Sequence, residues 1–136
     1  MNNRFAKWNI AVGLFVMAGF MIYGFVLIYL RDFAAGKEAW IAASHTGKHF
    51  EARLAHVHGN LFSVLNILYG YLLLKLAIPS GYARWVSRLA LAGLLMPIGI
   101  FAELYFGLPF YLVLVGAISI VSATVLLGIG ALKMSS

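Results

Sequence analysis

The feature that most constrains this chain is the run Trp8–Leu30, 23 residues without Asp, Glu, Lys or Arg. An uncharged run of that length forms a helix that spans about 30 Å of hydrocarbon. It exceeds the apolar stretch of a typical signal peptide, and no small-residue cleavage site follows it cleanly, so it is expected to stay as a transmembrane helix. Three more apolar stretches follow, at Arg53–Ile78, Trp85–Phe106 and Phe110–Leu132. Arg31-Asp32 ends the first span, Pro79-Ser80-Gly81 turns the chain after the second, and Gly107-Leu108-Pro109 connects the last two. Pro97, flanked by Gly93 and Gly99, predicts a kink near mid-membrane. In the first loop, Lys37–Ala43 is expected to form a short interfacial helix with Trp40 at headgroup level. Ser44 could cap the next helix, although Gly47 disfavours a helix starting there.

Composition agrees. Of 136 residues, 63% are hydrophobic and 10% charged, against about 25% charged in an ordinary soluble domain. The expectation is an all-α integral membrane four-helix bundle, up-down-up-down, forming one domain over residues 1–136. The absence of cysteine excludes disulfides, thiolate nucleophiles, iron–sulfur clusters and cysteine zinc sites. The net charge of +6 comes from scattered basic residues and reads as topology, not as a nucleic-acid patch. Arg4, Lys7, Lys75, Arg84, Arg88 and Lys133 fall on one side of the bundle. Arg31, Lys37, Lys48 and Arg53 fall on the other, mixed with Asp32, Glu38 and Glu51. This bias favours an inner-membrane protein of bacterial type with both termini cytoplasmic.

The chemistry concentrates in one stretch. All four histidines, His45, His49, His56 and His58, lie within fourteen residues at the start of the second span. On a continuous helix His45, His49, His56, Asn60 and Ser63 share a stripe about 60° wide, and His58 lies about 160° from His56. Polar groups facing hydrocarbon are costly, so this stripe should face protein, a ligand or water. His45 and His49 stand at i and i+4, a usable metal pair on a helix, but no carboxylate sits at a matching offset. Solvated headgroup contacts are the simpler role for both. His56 and His58 lie deeper, beside Gly59 and Asn60. Either could hold helices together, and either could serve as the single axial ligand of a haem in an apolar bundle. Asn60 and Asn66 could tie helices together or hold a small polar group in an apolar pocket. Glu103 is a candidate for a proton relay, for a ligand or for an ion pair expected with Arg53 or a first-loop histidine; a carboxylate reaching the interface near the helix end is the simpler reading. Tyr105 lies in the same layer as Glu103, either as a belt tyrosine or as a site phenol. Antiparallel neighbours should bring this end of the third span level with the histidines.

Ala55-His56, Leu65-Asn66, Arg88 opening the third span and Tyr105 near its end together resemble the styrene-oxide isomerase family of small four-helix membrane proteins. The resemblance covers about residues 53–106 in pattern and the whole chain in topology. It implies haem b between subunits of a homo-oligomer and a small apolar epoxide as substrate. The axial ligand would be His56 or His58, the oxygen-side amide Asn66 or Asn60, and the phenol Tyr105. The product would be an aldehyde, formed by ring opening and a hydride shift. Two other readings stay open: a haem-binding subunit for electron transfer or sensing, and a non-enzymatic subunit or transporter with a His/Glu proton path.

Overall fold

The computed structural model describes residues 3–134. Six helical segments follow one another: α1 (Asn3–Asp32), α2 (Lys37–Ala42), α3 (Gly47–Lys75), α4 (Ser80–Gly93), α5 (Leu95–Phe106) and α6 (Tyr111–Leu132). The fold is an all-α bundle. Four stretches are long and apolar enough to cross a membrane: α1, α3, α4 with α5, and α6. Large side chains cover the outside, among them Phe15 (78% exposed), Phe25 (71%) and Ile118 (67%). Such a surface suits hydrocarbon, where apolar side chains lose nothing by facing outward.

The third span is broken where its proline requires. Pro97 has no N–H to donate to the carbonyl four residues back, at Gly93. The chain takes a tighter turn there, with Leu94 N–H donating to the Leu91 carbonyl at 3.1 Å, and the helix resumes as Ile98 donates to Leu94 at 3.3 Å. The bend thus falls just ahead of Pro97. Helix α6 packs closely on this break. A Cβ at Gly116 would stand 2.1 Å from the Met96 nitrogen, so only glycine allows the approach.

Three helix starts differ most from expectation, the first being that of α1, at Asn3 instead of Trp8. Helix α3 starts at Gly47 instead of Arg53, after Thr46 in extended geometry, and Gly47 itself takes a left-handed φ of 59°. Helix α4 starts at Ser80 instead of Trp85, directly after Pro79. The interfacial helix at the first loop is present as α2.

The buried residues form two clusters. The larger joins Phe62, Tyr69 and Leu73 of α3 to Val86 and Ala90 of α4 and to Ile120 and Leu127 of α6. The smaller joins Phe20 and Tyr23 of α1 to Ala52 and Ala55 of α3, with Trp40, Phe101 and Leu104 packed on it. The start of α3 is therefore level with the end of α5, as antiparallel neighbours require.

Candidate functional site

The polar side chains of α3 separate into two groups. The first is buried near mid-helix. Asn66, Asn9 and Ser63 have no exposed surface and Ser87 has 2%. Asn66 Nδ2 donates to the carbonyls of Phe62 (3.0 Å) and Ala90 (2.8 Å), and its Oδ1 accepts from Asn9 Nδ2 at 2.9 Å. Asn9 Nδ2 also donates to the Ser87 carbonyl at 3.2 Å, and the Ser87 hydroxyl donates to Asn9 Oδ1. Ser63 Oγ donates to the Gly59 carbonyl of its own helix at 2.6 Å. The amides of Asn9 and Asn66 thus spend both N–H bonds and the carbonyl inside the protein. This cluster binds α1, α3 and α4 together and leaves Asn66 no donor for a substrate.

The second group lies one to four turns nearer the start of α3. His49, Arg53, His56 and Asn60 line a groove of about 750 Å³ with Met21, Gly24, Phe25, Leu27, Ile28 and Arg31 of α1 and with Ile41 and Ser44 of the first loop. Its wall is mostly aliphatic and aromatic, with polar groups confined to the α3 stripe and the mouth. His56 is half-buried at its floor. The imidazole edge rests on Gly24, where a Cβ would come within 2.8 Å of the ring. Its Nδ1 lies 2.9 Å from the Phe20 carbonyl. A carbonyl can only accept, so Nδ1 carries the proton of the neutral ring and Nε2 carries the lone pair. That arrangement, one ring nitrogen held by a backbone oxygen, orients metal-ligating histidines and raises their basicity. Asn60 Nδ2 donates to the His56 carbonyl at 2.9 Å. The same Nδ2 lies 3.5 Å from His56 Nδ1, and Oδ1 has no hydrogen-bond partner among the described residues.

The other residues singled out in the sequence fall around this groove. His49 stacks on Trp40 at 4.3 Å with its Nδ1 against the Trp40 carbonyl, at the groove's mouth. His45 is exposed in the loop before α3, so His45 and His49 do not form a helical pair. Among the described residues no group of three His, Asp or Glu is placed to hold a metal ion. His58 points away from the groove, with Nδ1 on the Leu54 carbonyl and its ring edge-on to Phe62. Tyr105 lies outside the groove. Its hydroxyl bonds that of Tyr23 at 2.8 Å, and the Tyr23 ring is 6.4 Å from that of His56. Glu103 is exposed and the expected pairing with Arg53 or a histidine does not form. The only ion pair among the described residues joins Arg31 and Asp32. Glu103 ends up on the outward side of α5, away from both partners.

Sequence reasoning passed over Asn9 and Ser87. An asparagine inside the uncharged first run was the available signal for the buried cluster. No protein family, curated protein or solved structure matches this chain.

Proposed function

We propose that the chain is a haem-binding membrane isomerase that converts a small apolar epoxide to an aldehyde. The observation that carries the reading is His56, held through Nδ1 by the Phe20 carbonyl at the floor of a largely apolar groove, with Nε2 left to ligate. These residues fit a haem: one imidazole oriented by a backbone carbonyl and seated on Gly24 of α1, and an aliphatic and aromatic wall. When bound, haem supplies a ferric Lewis acid that can polarise an epoxide oxygen. In the reaction a C–O bond of the epoxide opens, a hydrogen migrates to the adjacent carbon, and no electron donor or water is consumed. The chain's part is to orient and to keep water out. The Phe20 carbonyl fixes the His56 ring. Asn60, whose Oδ1 is free, is the amide able to hold a polar group in this groove, a role that Asn66 cannot share. The Tyr23–Tyr105 hydroxyl pair lies outside the groove lining, with the Tyr23 ring 6.4 Å from that of His56, and its part is to hold α1 and α5 together beside that ring.

In the proposed homo-oligomer a second copy would cover the groove on the side of Phe25 and Ile28, both exposed. An electron-transfer haem would need two axial histidines. With His49 turned onto Trp40, the second ligand would be a histidine of a second copy across the interface. The orientation that fits is a bacterial inner membrane with both termini cytoplasmic. The test is conversion of an aryl epoxide by haem-loaded protein without any reductant. Aldehyde should form with the loaded protein and not with His56→Ala. Haem loading without aldehyde would remove the isomerase and leave a haem carrier.

A further inference from the structure

The mouth of the groove carries two guanidinium groups that the reading above leaves unused. Arg31 and Arg53 both line it, but their charges are in different states. Arg31 is gripped by Asp32, Nε to Oδ1 at 3.0 Å and Nη2 to Oδ2 at 2.7 Å. Arg53 makes one bond, from Nη1 to the Ser44 carbonyl at 3.3 Å, and no carboxylate answers it among the described residues. No acidic residue lines the groove. On α3, Arg53 precedes His56 by about 4.5 Å of helix rise, toward the open end and on the same stripe. The groove therefore passes from an aliphatic and aromatic wall near His56 to an uncompensated cation at its rim. A guanidinium binds a carboxylate through two parallel N–H bonds, the geometry a compact ammonium cannot reproduce.

We infer that Arg53 is the anion anchor of this groove and takes a carboxylate carried on the edge of an otherwise apolar ligand. For haem, that carboxylate is a propionate. Arg31, already neutralised by Asp32, contributes little. The inference rests on the haem reading and deepens it: Arg53 decides which edge of the ligand lies at the mouth.

A titration cycle tests it. Haem and haem dimethyl ester, whose carboxylates are uncharged, are titrated into the purified full-length apoprotein in lipid nanodiscs and followed by absorption. The variants are Arg53→Gln, Arg53→Lys and Arg31→Gln, each checked for an unchanged unfolding temperature. Arg53→Gln should weaken haem about ten- to a hundredfold and leave the ester unchanged. Arg53→Lys should recover part of the loss, and Arg31→Gln should stay within about threefold of wild type. An equal effect of Arg53→Gln on both compounds, or no effect on either, overturns the anchor while the haem reading stands. Failure of wild type to bind either compound, or binding of both by His56→Ala as tightly as by wild type, overturns the haem reading and the anchor with it.

Discussion

Helix α3 carries polar side chains at two depths, and the two sets differ in how their hydrogen bonds end. Around Asn66 every amide atom finds a partner on α1, α3 or α4, and nothing is left over. Around His56 the ring is fixed at one nitrogen, Asn60 keeps its Oδ1 unused and Arg53 keeps unused donors, all lining a groove. Both sets are equally unusual by residue type for a membrane helix. In hydrocarbon a polar group must be satisfied by protein or by something that the protein binds. A polar residue in a membrane span is thus no functional marker by itself. Its role follows from whether its hydrogen bonds close internally.

Substitutions can break this contrast. Gly24→Val should act most strongly on the open set. Its side chain would displace the His56 ring from α1, and haem affinity should fall about 10- to 100-fold, the range for losing a partner that orients a metal ligand. Haem titration checks it, and unchanged affinity would show that His56 is not positioned by α1. Asn66→Ala should act on the closed set alone. Bundle stability should drop by about 1–3 kcal/mol, seen as earlier unfolding in denaturing detergent, with haem affinity as in wild type. A loss of haem without a loss of stability would move Asn66 into the site. Tyr105→Phe removes one hydroxyl bond to Tyr23, worth about 0.6 kcal/mol in a membrane protein. Epoxide turnover should fall while the haem spectrum stays, and an unchanged rate would remove the phenol pair from the reaction. His58→Ala should be the mildest, since its ring serves only Leu54 and Phe62, and its haem spectrum should overlay that of wild type.

Much of the architecture is legible in the sequence. The lengths of the four apolar runs define the spans, because the bilayer sets how many residues a helix needs. The bend in the third span follows from the missing N–H of Pro97. The start of α3 is less legible, since glycine disfavours a helix by propensity, whereas here Gly47 supplies the left-handed φ of 59° with which the chain enters α3 after the extended Thr46. The histidine stripe is readable as a direction on a helix, including the opposite facing of His56 and His58. Which side has room is not readable, because Gly24 lies 32 positions away in the chain. The roles of Asn60 and Asn66 are indistinguishable by type. They part only when Asn9 of α1 and the Ala90 carbonyl of α4 arrive to close one amide and not the other. Tyr105 is legible as a layer mate of the histidines, but its bond to Tyr23 needs the packing of α5 near α1.

The most direct test of the central claim is the absorption spectrum of detergent-purified wild type, His56→Ala and His58→Ala, each expressed with haem supplied. The account predicts a strong haem absorption band in wild type and His58→Ala and its loss in His56→Ala, with all three proteins folded. A band retained in His56→Ala, or absent from wild type, would contradict it.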